Sequence, residues 1–219
     1  MHTLTRRVSA PLAVLALTCL AAFVVLAVVV SRQGAVGFDQ PIIELVTSVG
    51  ISPDTWRAIT GLGAPVLVPV GVGLVLWLVW QRRLADAVIV GVALIGATLF
   101  TDAVKDLVAR PRPPGAEVGA ATGASFPSGH TLNSTVTYGL VALYAWRSHL
   151  ALAARQVIVA VLVAIPFLVG LSRIALGVHY PSDVLGGWLA GAAVVLMVAA
   201  ITQPATADTA RREAARPEP

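Results

Sequence analysis

Charge is scarce in this sequence: Asp, Glu, Lys and Arg together make up 12% of 219 residues, while 57% are hydrophobic. A soluble domain carries about twice that share of charge, so water is not the main solvent of this chain. Cysteine is scarcer still. Cys19 stands alone, which excludes an intramolecular disulfide and a thiolate metal cluster and leaves it a packing role. The spacing of carboxylates and histidines offers neither a dense oxygen set for Mg²⁺ nor a His/Cys set for Zn²⁺, so no metal and no cofactor is expected. The net charge of +4 comes with short arginine pairs, Arg6-Arg7, Arg82-Arg83 and Arg211-Arg212, at the ends of apolar runs. The positive-inside bias of membrane proteins puts them there, and no basic face remains that asks for a nucleic-acid partner.

What the sequence has in abundance is apolar runs, and a bilayer core needs about 20 such residues per helix. Six runs suit spanning helices: Ala10 to Val30, Ala64 to Trp80, Ala87 to Val104, His130 to Tyr144, Val157 to Leu171, and Asp183 to Ile201. The first is longer than the usual signal-peptide core of about 7–15 residues and lacks a clear small-x-small cleavage pattern, so it reads as a retained anchor. The expected fold class is all-α, an integral membrane bundle of six transmembrane helices in one domain over 1–203. The segment 204–219, rich in Ala, Pro, Arg and Glu without periodicity, reads as a disordered cytoplasmic tail.

Orientation follows from the Lys and Arg count with the amino terminus in the cytoplasm. Nine of fifteen then lie on the cytoplasmic side, and the other six are Arg32, Arg57, Lys105, Arg110, Arg112 and Arg173. Setting aside Lys105, Arg112 and Arg173, which the chemistry below uses, the bias is nine to three. Trp77, Trp80, Tyr144 and Trp146 fall at cytoplasmic helix ends, as an aromatic belt would.

The longest loop, between the first two spans, is patterned. Pro41 suits a first helical position, and Ile42, Leu45, Val46 and Val49 follow with helical spacing. A second short helix starts with Ser52 as N-cap and Pro53 behind it, with Ile51 and Trp56 placed for a hydrophobic staple and Gly61 and Gly63 to end it. Two amphipathic helices in the outer headgroup layer, or a plain packed cap, are both compatible with this pattern. Whether the 39–63 segment gates lipid access is not legible here.

Three polar clusters interrupt the apolar chain, and the derived topology puts all of them on the outer side. The first runs from Lys105 to Arg110-Pro111-Arg112-Pro113-Pro114, where prolines hold the chain extended and Lys105 and Arg112 can converge on one anion. Basic headgroup anchors would look similar. The second is Pro127-Ser128-Gly129-His130 at the mouth of the fourth run. There an N-cap serine and a glycine let an anion approach the unpaired N–H groups of a helix start; an ordinary cap beside an interfacial histidine is the plain alternative. The third holds Ser172-Arg173, His179 and Asp183. His179 precedes a helix start marked by Pro181, so a carboxylate in the first turn can reach its imidazole, fixing the tautomer that a nucleophilic histidine needs. A histidine merely satisfying an interfacial aspartate has the same spacing. Asp102, one turn before Lys105, reads as an ion-pair partner, and Pro166 predicts a kink in the fifth run.

Together the clusters supply three cations, two histidines, an orienting carboxylate and a helix amino terminus, which is the inventory of phosphoryl transfer. Lys105, six residues, Arg112-Pro113; then Pro127-Ser128-Gly129-His130; then Ser172-Arg173, five residues, His179, three residues, Asp183: this order resembles the three-part signature of the type 2 phosphatidic acid phosphatase family. The resemblance implies that His179 is the nucleophile forming a phosphohistidine, that Asp183 is hydrogen-bonded behind it, and that His130 is the general acid for the leaving alcohol. It also implies that Lys105, Arg112, Ser128, Gly129 and Arg173 hold the phosphate without a metal. The implied substrates are phosphatidate, phosphatidylglycerol phosphate or undecaprenyl diphosphate, taken from the lipids of the plasma membrane at its outer face. Vanadium-dependent haloperoxidases resemble the same clusters, but six spans argue against that chemistry. A lipid-binding or transport protein without turnover would have no use for both histidines and Asp183. Oligomeric state is not legible.

Overall fold

The computed structural model describes residues 8–116 and 123–203; the expected tail, 204–219, lies outside the described residues. Among the described residues there are eight α-helices: α1 (Ala10–Gln33), α2 (Asp39–Ser48), α3 (Pro53–Gly61), α4 (Leu67–Trp80), α5 (Leu84–Val108), α6 (Gly129–Trp146), α7 (Leu152–Ala175) and α8 (Pro181–Ile201). Each expected run is helical, except that the second, expected from Ala64, begins its helix only at Leu67, and the two short helices of the first loop are present. α2 begins two residues ahead of Pro41, at Asp39. α3 is capped as expected, with the Thr55 N–H donating to Ser52 Oγ at 3.3 Å. Of the two staple residues, Trp56 is buried and Ile51 is exposed.

The six runs do not stand equal as spans. Among the described residues four helices, α1, α5, α7 and α8, are long and apolar enough to cross a bilayer. α4 is apolar but has 14 residues, about 21 Å of helix against a hydrocarbon core of about 30 Å. α6, with 18 residues, carries His130, Asn133, Ser134 and a series of threonines, and its polar side chains Thr131, Ser134 and Thr137 are buried. It reads as apolar by position but lies at the centre of the bundle, packed on α7 and α8, so its polarity is met by protein. Exposed Leu and Val side chains instead cover α1, α5 and the outer face of α7, as lipid-facing surfaces do.

Close helix packing sets the site. Gly187 and Gly191, four apart on α8, let its backbone approach α6: a Cβ on Gly187 would lie 2.9 Å from the Ser128 carbonyl oxygen, and one on Gly191 2.6 Å from Thr135 Cβ. Small residues at this spacing are the usual device for tight helix contact in a membrane. The Ser128 N–H then donates to the Asp183 carbonyl at 3.0 Å, joining the amino-terminal ends of α6 and α8. α1 packs along α8, and the Ser9 N–H donates to the Ala200 carbonyl at 3.1 Å. The first and last described residues therefore share the end of the bundle remote from His179. At that remote end Arg83 lies 5.1 Å over the Tyr144 ring and Arg155 5.4 Å over the Trp146 ring. α7 runs through Pro166, whose carbonyl accepts the Trp188 indole N–H at 3.1 Å. α2 packs on α7 and α8, and α3 on α7, so the loop helices form a packed cap over the site end.

Candidate active site

His179 sits in the turn between α7 and α8, 3% exposed, and Asp183 in the first turn of α8 is fully buried. Position N3 of a helix is where a carboxylate can reach back to the cap, and Asp183 Oδ2 accepts the Tyr180 N–H at 2.9 Å. The same oxygen faces His179 Nδ1 at 3.4 Å. With Nδ1–H donated there, the lone pair of the imidazole is on Nε2, which lies 3.2 Å from Arg112 Nη1. Burial is the first reason that the His179 pKa falls to about 4; the charges of Arg173 and Arg112 push the same way, and Asp183 opposes them. The imidazole is therefore neutral at physiological pH, with Nε2 available.

Arg112 is oriented by two carbonyls, donating to Gly123 at 3.0 Å and to Val178 at 2.8 Å. Its own extended Pro-flanked segment is pinned by the Ser125 N–H, which donates to the Arg110 carbonyl at 2.9 Å. Arg173, in the last turn of α7, donates to Thr60 Oγ1 of α3 at 2.9 Å, and its Nε is buried without a partner. Lys105 reaches the start of α6: its Nζ would stand 3.8 Å from a Cβ on Gly129, so glycine leaves room for the ammonium beside the helix terminus. His130, in the first turn of α6, is within electrostatic reach of Arg173, His179, Lys105 and Arg112.

The three clusters therefore meet at one place, as their sequence order leads one to expect. Ser128 has the extended backbone of an N-cap, but its hydroxyl accepts from Thr131 Oγ1 at 2.9 Å and does not cap. The first-turn N–H groups of α6 thus lack the usual side-chain acceptor, at a helix start that Lys105 adjoins. Ser172 turns back into its own helix, donating to the Val169 carbonyl at 2.6 Å. Among the described residues Asp102 forms no ion pair with Lys105, although both line one groove and their charges interact.

That groove has a volume of about 650 Å³ and runs between α4, α5 and α6, from Leu76 and Gly91 up to Lys105, Gly129 and His130. Leu67, Val72, Leu94 and Ile95 line it. Val68, Val72, Leu76 and Ile95 on its walls are themselves exposed, so it opens sideways, where the bilayer would be.

Several residues were not singled out by sequence reasoning. Asp39, Arg110, Ser182 and Thr60 stand directly behind the site residues, and the signal for two of them was available. Asp39 is an acid in an apolar stretch, and Arg110 is one of the two arginines in the Pro-flanked run.

A buried histidine backed by a carboxylate and ringed by cations, in a helical protein with apolar spans, is an arrangement suited to a membrane enzyme that handles anionic phosphate groups. Residues 86–207 match the PAP2 superfamily, a span that contains all three clusters. Phosphatidylglycerophosphatase B of Bacillus subtilis strain 168 is 30% identical over 152 residues, 66% of this chain and 72% of that protein. The crystal structure of a transmembrane PAP2 type phosphatidylglycerolphosphate phosphatase from Bacillus subtilis superposes with a TM-score of 0.71 at 25% identity, covering 84% of this chain and 93% of that one. Aquifex aeolicus LpxE shares the fold at a TM-score of 0.56 and 22% identity, over 76% of this chain and 97% of that one. The chain belongs to the PAP2 superfamily, and it is a multi-pass membrane phosphatase.

Proposed function

We propose that this protein hydrolyses the terminal phosphate of a membrane lipid through a phosphohistidine on His179. The observation that carries this reading is the groove, an apolar channel open to the side that ends on Lys105 and His130, which fits a phosphate held by a hydrocarbon tail. Among phosphatidate, phosphatidylglycerol phosphate and undecaprenyl diphosphate, likeness to the Bacillus subtilis phosphatidylglycerophosphatase B favours phosphatidylglycerol phosphate.

In this mechanism Lys105, Arg112, Arg173 and the amino terminus of α6 at Ser128-Gly129 hold the phosphate oxygens, where they meet the charge that develops in the transition state. His179 Nε2 attacks phosphorus while the bond to the lipid oxygen breaks, and that oxygen takes a proton from His130. Asp183 steadies the phosphorylated imidazole through Nδ1–H. Water then gives a proton to His130 and its oxygen attacks phosphorus. The N–P bond breaks, releasing inorganic phosphate and neutral His179. Side-chain cations neutralise the phosphate, so the reaction needs no metal.

The layout supported by the six helical runs is six crossings, with the short α4 and the central α6 completing the four long spans. Both termini would then be cytoplasmic and the site extracytoplasmic, because the arginine bias puts the remote end of the bundle in the cytoplasm.

Purified protein in mixed micelles, given each of the three lipids, lysophosphatidate and a short-chain phosphomonoester, tests the reading by kcat/KM. Long-chain phosphatidylglycerol phosphate should lead. Equal kcat/KM for the short-chain monoester would remove the role of the groove, and phosphate release from none of them would return the chain to a lipid-binding function.

A further inference from the structure

Burying a carboxylate or a guanidinium costs several kcal/mol unless it is fully paired, yet Asp39, Arg110 and Asp183 form a chain of three charges in the protein interior. Their side chains are 3%, 1% and 0% exposed. Asp39 Oδ2 accepts from Arg110 Nη2 at 2.9 Å, from Ser182 Oγ at 2.8 Å and from the Val36 N–H at 2.9 Å, and Oδ1 accepts the Ser182 N–H at 2.8 Å. Arg110 Nη1 donates to Asp183 Oδ1 and, at 2.8 Å, to Ser182 Oγ. The Tyr180 ring covers the guanidinium at 4.0 Å. Asp183 thus has one oxygen for Arg110 and the other for His179 and the Tyr180 N–H.

We propose that Asp39 and Arg110 are positioning residues for the reaction, setting the direction and the effective charge of Asp183. The proposal rests on the reading of His179 and Asp183 given above. Arg110 alone would orient Asp183 but also cancel its charge, leaving a weak acceptor behind a nucleophile that becomes cationic as it takes the phosphoryl group. Asp39, on the far side of the guanidinium, offsets that charge, and the three groups keep a net charge of −1 next to His179. Asp39 lies outside the stretch matched by the family, 86–207, on the first helix of the outer cap. The cap therefore reaches the chemistry through two buried bonds to the amino terminus of α8.

Asp39→Asn keeps the shape and removes the charge, so kcat should fall about 10- to 100-fold with KM within about twofold of wild type. The rate of phosphoenzyme formation per active site should fall in step, measured by rapid quench with the site count taken from vanadate-protected titration. Asp39→Asn/Arg110→Gln removes both charges and returns the negative charge to Asp183, so its kcat should exceed that of Asp39→Asn. A network that only fastens α2 to α8 predicts the reverse order, with fewer active sites and an unchanged rate at each, and that result overturns the proposal. Failure of both variants to fold would also assign the network to stability and overturn it. Asp183→Asn, run alongside, separates the two layers: if it retains full turnover the reading of the site fails, whereas if only Asp39→Asn does, this proposal alone fails.

Discussion

Replacing Asp183 by asparagine tests the nucleophile with the smallest change of shape. Asp183 has two acceptor oxygens, one committed to Arg110 and one shared by His179 Nδ1 and the Tyr180 N–H. Asparagine has one oxygen and one NH₂. The Arg110 guanidinium can only donate, so it holds the amide oxygen and turns the NH₂ toward His179 and Tyr180. An amide donor facing Nδ1 moves the imidazole proton to Nε2, the atom that must attack, and the lone pair is lost from the reacting position. The same exchange in a serine-protease triad lowers kcat by about 10⁴, which is about 5 kcal/mol of barrier. Stability should also fall, by about 3 kcal/mol, because the cap at Tyr180 is lost and the buried Arg110 loses one of its two charged partners. The assay is phosphate release from phosphatidylglycerol phosphate in mixed micelles, with acid-labile phosphoenzyme trapped by rapid quench and melting followed in parallel. A folded Asp183→Asn protein that keeps more than about one hundredth of kcat would refute the tautomer argument.

The other predictions address the acid, the cations, the pH response and the topology. His130→Ala should impair release of a lipid alcohol far more than of p-nitrophenolate, which hardly needs a proton; equal losses on both substrates would remove His130 from the acid role. Activity should survive excess EDTA and be blocked by orthovanadate, and loss on chelation with recovery on adding a divalent ion would contradict side-chain neutralisation of the phosphate. The His179 pKa, lowered by burial to about 4, means the unfolded chain binds the proton first as pH falls. The stability this residue contributes is whole above about pH 6.5 and is lost as pH falls through about 4, so His179→Gln should flatten that part of a melting-temperature profile. A reporter active only in the periplasm, fused after Pro219, should be silent, and an active fusion would invert the orientation.

Much of the candidate site was legible because phosphate chemistry would concentrate polar residues that an apolar chain otherwise avoids. Lys105, Arg112, His130, Arg173, His179 and Asp183 stood out against that background, and helix starts marked by Ser128 and Pro181 showed which side chains face the same end. The second layer was hidden because its partners are far apart in the sequence. Asp39 and Ser182 meet across |i−j| = 143, and Thr60 and Arg173 across 113, separations that no local pattern encodes. Helix existence was legible from hydropathy, whereas the standing of α6 was not. Its polar side chains are tolerated by its central position, and that position depends on Gly187 and Gly191 of α8, whose spacing could have been read as a close-contact motif. The burial of Trp56 was likewise not legible locally, because α3 packs on α7, a contact remote in sequence.

The sideways opening of the groove between α4 and α5 has a kinetic consequence. A substrate that arrives through a wall of the bundle is drawn from a two-dimensional solution, so its relevant concentration is a mole fraction in the bilayer and not an amount per volume of water. Adding inert lipid at constant total substrate should slow the enzyme by dilution alone. Under the proposed mechanism the two products would also part company: the dephosphorylated lipid would go back along the groove into the membrane, where it competes with fresh substrate, while phosphate would leave to water from the cationic end between Lys105 and Arg112. Product inhibition should accordingly have two independent scales, one set by surface composition and one by the phosphate concentration of the aqueous phase.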